Sequence, residues 1–169
     1  QNIIDPWRTH LGVGIAYGQG GLRVTQEFIN KYVNVYKIPQ EAKLGEDIPF
    51  AGEVLEPDKY EVAGVWVFYD SPPKTLTLEE ANALQSYTYP KERHGLRPIL
   101  PPNRFYAEDM SRGEVAISDD GKFGVNVPQF AKKPGIYGLM VRLRPKADKD
   151  TTFPATFFCI EVKEEPKTQ

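Results

Sequence analysis

The stretch Glu61-Val-Ala-Gly-Val-Trp-Val-Phe-Tyr69 decides the fold class. Val62, Gly64, Trp66 and Phe68 share one parity, and Ala63, Val65, Val67 and Tyr69 share the other. An extended chain with this order shows apolar side chains on both faces, the pattern of a strand covered above and below. The strand is therefore expected inside a sheet, with Trp66 as a core anchor. Ser71-Pro72-Pro73 ends it, and Glu56-Pro57-Asp58 separates it from an earlier run, Ile48 to Leu55. Downstream, Gly113 to Ile117 and Lys122 to Val127 flank Ser118-Asp119-Asp120-Gly121, and Asp-Gly between two strand runs predicts a hairpin because Gly accepts the positive φ of such turns. Pro134-Gly135 opens Ile136 to Leu143, and Phe153 to Lys163 closes the series. Short runs at this spacing, punctuated by proline and glycine, predict an antiparallel β-sandwich.

One helix interrupts the strands. Thr77-Leu-Glu-Glu80 has the form of a capping box, in which the Thr hydroxyl accepts from the third helical amide and Glu80 reaches back, and Leu78 to Gln85 supplies good helix formers. Glu79 and Glu80 also suit the positive end of the helix dipole. Between Ser86 and Ser111 lies a long irregular segment with Pro90, Pro98, Pro101 and Pro102. Loops of that length in a compact domain are often functional.

Upstream of the sandwich, Leu11, Val13, Ile15 and Tyr17 alternate with Gly12, Gly14 and Ala16, a glycine-rich turn spans Gly18 to Gly21, and Leu22, Val24, Gln26 and Phe28 alternate with Arg23, Thr25 and Glu27. This is a β-hairpin with one apolar face. An isolated hairpin is marginally stable, so it needs a partner. Asn30 to Pro39 continues strand-like, and Gln40 to Asp47 turns polar. The expected organisation is 1–39 as terminal strands of an incomplete domain, 40–47 as linker, 48–163 as the sandwich and 164–169 as a polar tail.

The motifs Asn2-Ile3-Ile4, Gly12-Val13-Gly14-Ile15-Ala16 and Val24-Thr25-Gln26-Glu27-Phe28 together resemble the C-terminal end of the bacterial branch of the CAP superfamily, the cysteine-rich secretory, antigen 5 and pathogenesis-related type 1 (SCP-like) proteins. The likeness covers Gln1 to about Asn30. It implies that the hairpin closes a CAP-like α/β/α domain of an extracellular or cell-envelope protein. In that family a Gly-His-Arg triplet precedes the Asn-Ile-Leu-like turn, and its His joins a second His and two acids in a polar cleft. Gln1 falls one residue after the place where the triplet would end, so no cleft residue is assigned to this chain. If Arg precedes Gln1, the start is that of a tryptic-type proteolytic fragment, and intact-mass analysis of a native preparation should find a companion ending in Arg. Lys133 to Leu143, Lys-Pro-Gly-Ile-Tyr-Gly-Leu-Met-Val-Arg-Leu, is similar to the penultimate strand of immunoglobulin-like modules on bacterial surface proteins. The fold class expected is thus mainly β: a CAP-like terminal hairpin plus an immunoglobulin-like sandwich with one short helix.

Composition bounds the chemistry. A chain of 169 residues, 40% hydrophobic, can bury a core. Its 21 basic and 23 acidic residues are interspersed, without the single-sign stripe that phosphate neutralisation needs, so no nucleic acid is expected as partner. Apolar runs fall far short of the roughly 20 residues of a membrane helix. Cys159 is the only cysteine, with Phe157 and Glu161 in its parity, and is expected to be a buried structural thiol.

The candidate ligand or partner loop is Arg93, His94, Arg97, Arg104 and Tyr106, cations beside aromatics, suited to an acidic glycan, a carboxylate or a protein. The plain alternative is a solvated loop. Trp7, Val13, Ile15, Val24 and Phe28 are the residues expected to pair the hairpin with the remainder of the CAP-like domain or with a neighbouring copy. Trp7 itself packs over the hairpin or against that remainder. Zinc ligands do not cluster around His94, and Asp119-Asp120-Gly121 lacks the alternate acids of a calcium loop. Ser71, Ser86, Ser111 and Ser118 stand in turns or loops outside any nucleophile elbow. The expectation is a non-enzymatic binding or structural module with no cofactor. The alternatives are a metal-assisted hydrolase completed by a missing N-terminal fragment, and an assembly or adhesion subunit that uses its hairpin for strand pairing.

Overall fold

The strand read from 61–69 runs from Tyr60 to Asp70 (β6) and has neighbours on both sides. In the computed structural model, which describes residues 6–36, 38–72, 74–83 and 90–164, the remaining elements are β1 His10–Gly18, β2 Gly21–Ile29, β3 Val33–Tyr36, β4 Glu41–Lys43, β5 Ile48–Val54, α1 Leu78–Ala83, β7 Arg93–Leu96, β8 Ala116–Ile117, β9 Lys122–Val127, β10 Gly135–Pro145 and β11 Phe153–Lys163. Asn2-Ile3-Ile4, the helix end at Gln85, Ser86 and the tail from 165 lie outside the described residues.

Two sheets enclose the core. One has the order β4-β11-β10-β6-β7, antiparallel except for the β4–β11 edge pair, and the other has the order β3-β5-β9-β8. Val65, Val67, Tyr137, Leu139, Val141 and Ile160 from the first meet Ile48, Phe50, Val54, Phe123, Val125 and Val127 from the second. Each such side chain contributes about 1.5–3 kcal/mol by leaving water, and Leu139→Ala would cost about 2–5 kcal/mol. The chain is mainly β and sandwich-like, as its alternation implies.

The period-2 reading of β6 fails at one residue. Arg142 pairs with Gly64 but Leu143 pairs with Val62, so Ala63 is the extra residue of a bulge. Val62 therefore turns inward with Val65, Val67 and Tyr69, while Trp66 and Phe68 face away from the core. Trp66 is not the core anchor that its apolar neighbours suggest. Cys159 likewise stands exposed on the outer face of β11, because its parity partners Phe157 and Glu161 point outward while Ile160 and Val162 are buried.

The boundary between hairpin and sandwich also differs from the sequence reading. β3 pairs with β5, Tyr32 is buried in the core, and β4 adds in parallel to β11. Residues 32–36 and 41–43 thus belong to the sandwich. Buried Gln129 secures the intervening turn: its Nε2 donates to the carbonyls of Lys43 and Glu46, both at 2.7 Å, and its Oε1 accepts from Gly45 N–H at 2.8 Å. What composition marks as a polar linker is fastened by backbone hydrogen bonds that the polar residues themselves do not reveal.

The capping box forms as read. Thr77 Oγ1 accepts from Glu80 N–H at 3.2 Å, and Glu80 Oε2 accepts from Thr77 N–H at 2.8 Å. That backbone donor, with the Thr hydroxyl, holds the Glu80 carboxyl below its usual range. The Ser118 to Gly121 hairpin turn is also as expected, with Gly121 at φ 82° and its N–H donating to the Ser118 carbonyl.

Candidate functional site

The five cationic and aromatic residues singled out between Arg93 and Tyr106 do not form one site. Part of the expected loop is strand: β7 pairs with β6, Phe68 opposite Arg93 and Val67 opposite His94. Alternation along β7 then sends neighbours to different sides. The His94 ring stacks near Phe130, centroids 5.9 Å apart, whereas the Arg93 guanidinium lies 5.0 Å from the Trp66 ring centroid on the outer face.

Arg97 is occupied within its own loop. Its guanidinium covers the Tyr106 ring at 4.0 Å, pairs with Asp109 and with Glu108 at 3.5 Å, and donates to Ser111 Oγ at 2.8 Å. The Tyr106 hydroxyl donates to the Pro98 carbonyl at 2.8 Å, and burial raises its pKa. The Ser111 N–H, bonded to Asp109, leads the contacts that hold that carboxyl low. Gly113 completes the closure at φ 90°, where an added Cβ would run into the carbonyl oxygens of Pro98 and Arg97. Satisfied donors and acceptors of this kind hold a loop in shape. Arg104 is exposed and makes no ion pair among the described residues.

A different cluster gathers on the outer face of the five-stranded sheet. The Arg142 guanidinium on β10 lies 4.0 Å from the Trp66 ring centroid, so two guanidiniums, Arg142 and Arg93, share one indole. Phe68 and Met140, both nearly fully buried, lie beneath the groove, and among the described residues Pro90, Lys91 and Pro154 also line its space of about 530 Å³. Arg142 donates to the Thr152 carbonyl at 3.2 Å and to its hydroxyl, while its buried Nε has no partner. Burial, then the like charge of Arg93, pushes the Arg142 pKa down. Sequence reasoning missed Trp66 and Arg142 as a pair because they lie far apart in the chain. The available signal was the shared outward parity of Trp66 and Phe68 with Met140 and Arg142.

The hairpin is the second notable surface. Its register sets Leu11 opposite Phe28, Val13 opposite Gln26, Ile15 opposite Val24 and Tyr17 opposite Leu22, which collects the apolar side chains on one face. Ile15 is 69% exposed and Tyr17 88%, and among the described residues β1 and β2 pair only with each other. The expected pairing residues Val13, Ile15 and Val24 therefore stand on an uncovered face, with Phe28 half-buried near its root. Trp7 does not join them. It stacks on Phe153 of the sandwich, and Asn30 Nδ2 donates to the Pro154 carbonyl at 2.9 Å. The hairpin is anchored at its base and bare along its length.

Among the described residues, no three His, Cys, Asp or Glu side chains converge as a metal set, and no helix is long and apolar enough to cross a membrane. Compared with protein-family models and with curated proteins, the sequence matches none.

Proposed function

We propose that this chain is a non-catalytic binding and structural module, the C-terminal portion of a secreted or envelope protein of the CAP superfamily, in which the β1–β2 hairpin closes a neighbouring CAP-like domain. The supporting observation is the apolar hairpin face of Leu11, Val13, Ile15, Tyr17, Leu22 and Val24, left in water by the sandwich. Covering it would contribute on the order of 5–10 kcal/mol, and exposed apolar patches of this kind mark interaction surfaces. The resemblance of the motifs on the same two strands to the end of that family's domain supports the reading.

Hydrogen exchange tests the proposal. The β1 and β2 amides are compared in the chain alone and in a protein that also carries the residues preceding Gln1. Seating of the hairpin slows their exchange at least tenfold, whereas equal rates in the two proteins reject the reading.

A second reading, assembly through the hairpin, is favoured by the outer edges of β1 and β2, which no other strand among the described residues pairs. It predicts concentration-dependent oligomers in sedimentation that Ile15→Lys and Val24→Lys abolish. A chain that stays monomeric at high concentration removes it.

A further inference from the structure

We propose that the hairpin and the sandwich form one rigid unit through an aromatic joint, so that whatever covers the hairpin is held at a fixed attitude to the sandwich. The rigidity rests on contacts within this chain alone. Only the identity of the covering domain rests on the reading proposed above.

The joint takes hold of both strands of the hairpin. The chain enters β1 through Trp7 and leaves β2 through Tyr32, and both rings close on Phe153, the first residue of β11. Trp7 stacks on that ring at 4.1 Å, and Tyr32 meets it edge-on at 4.9 Å. Tyr60, the first residue of β6, completes the cluster at 5.2 Å from Tyr32 and 5.6 Å from Phe153. A single attachment would leave the hairpin free to turn about it. Two attachments, one from each strand, on a ring that is itself buried remove that freedom.

Hydrogen bonds lock the neck between the rings and the strands. The Thr9 N–H and hydroxyl both donate to the Ile29 carbonyl at 3.0 Å, and the same hydroxyl accepts from Lys31 N–H at 2.8 Å, which ties the entering chain to the leaving one. The Arg8 guanidinium donates to Asn30 Oδ1 at 3.3 Å, and Asn30 Nδ2 donates to the Pro154 carbonyl at 2.9 Å. Each residue from Trp7 to Thr9 and from Asn30 to Tyr32 thus carries a ring contact or a hydrogen bond. A hinge is a stretch free to absorb changes in φ and ψ, and neither connection offers one. Relative motion is the default for units joined by a small polar interface, and a buried ring cluster with cross-linked strands departs from that case. Seating the hairpin in another domain would therefore fix how the sandwich stands against it.

The test is electron–electron dipolar spectroscopy on the full chain. One nitroxide is placed on Cys159, the chain's only cysteine and exposed on β11, and a second at Thr25→Cys, exposed at mid-hairpin opposite Gly14. A pair at Cys159 and Asp119→Cys, both in the sandwich, gives the width that the labels themselves contribute. The hairpin pair should show one distance peak as narrow as the sandwich pair. Trp7→Ala should broaden it about twofold or more while the sandwich pair stays narrow, which shows the sandwich still folded, and Asn30→Ala should broaden it less. A broad or split distribution for the hairpin pair with Trp7 in place overturns the joint, as does a Trp7→Ala width equal to that of the parent. The width with Trp7 in place decides the matter even where Trp7→Ala unfolds. Equal hydrogen-exchange rates in the longer protein would reject the covering domain and leave these widths untouched.

Discussion

The indole of Trp7 lies flat on the ring of Phe153, with centroids 4.1 Å apart and an interplanar angle of 4°. Phe153 is fully buried and also meets Tyr32 and Tyr60 edge-on, so the base of the hairpin is clamped into the aromatic end of the sandwich core. Trp7→Ala should destabilise the chain by about 1–3 kcal/mol, less than a fully buried tryptophan because the ring is half-exposed. Urea unfolding measures the loss, and hydrogen exchange from Thr9 to Ile29 should accelerate beyond what global destabilisation explains. Unaltered hairpin protection would show that the Asn30 bond to the Pro154 carbonyl suffices as its anchor.

Gln129 is the second clamp. Replacing it with Leu removes three hydrogen bonds at once and leaves the Gly45 N–H and the Lys43 and Glu46 carbonyls without that partner. The expected cost is about 2–4 kcal/mol, since orphaned backbone groups lose more than a single bond is worth. Detachment of β4 from β11 should accompany it, read as loss of the Ala42 and Leu44 amide protection. A neutral Gln129→Leu would mean that water replaces the side chain fully.

In the β8–β9 turn, hydrogen bonds from Lys122 and then Ser118 lower the Asp120 pKa to about 2. The folded value lies below that of the unfolded chain, near 3.9. The stabilisation is therefore fully present above the unfolded value and is lost as pH falls through about 2. A carboxylate NMR titration should place the Asp120 midpoint near 2 in the folded chain, and Asp120→Asn should flatten the stability profile between pH about 4 and 2. A midpoint at the free aspartate value contradicts the turn geometry.

Cys159 stands on the outer face of β11, exposed, with its thiol pKa pushed up by the protein around it. Iodoacetamide should modify it in the native chain, slowly at neutral pH and faster as pH rises toward the thiol value, because the thiolate is the nucleophile. Modification that waits for denaturant would place the thiol inside.

Strand identity was legible where alternation is regular and its ends are punctuated. The closing strand Phe153–Lys163 and the turn at Ser118 to Gly121 match the residues that mark them, and Thr77 with Glu80 forms its capping box because every group involved lies within one turn of chain. Face assignment was less secure. Ala63 carries no signal that it is the surplus residue of a bulge, yet the bulge decides that Val62 turns in and Trp66 turns out. Cys159 was misplaced for a related reason, since a half-covered strand with Phe157 on its outer side looks apolar on both faces.

The candidate site was legible only as an inventory of cations and rings. Arg93, His94, Arg97 and Tyr106 are close in sequence, but strand alternation separates Arg93 from His94, and Arg97 turns to Asp109 and Tyr106 instead of outward. Arg142, the residue that shares the indole with Arg93, arrives from a strand nearly fifty positions away.

By itself the sequence determined the local matters: strands from period-2 alternation, the hairpin turn from Asp-Gly, the helix start from Thr77 and Glu80, and an apolar face on Leu11 to Phe28. These follow from steric and hydrogen-bonding preferences acting within a few residues. Tertiary structure alone decided that 41–43 is a strand and not a linker, that Trp7 rests on Phe153, and that Trp66 lies between two guanidiniums. Those outcomes depend on register between strands distant in the chain, and register is set by the collective fit of two sheets around one core, to which no single segment holds the key.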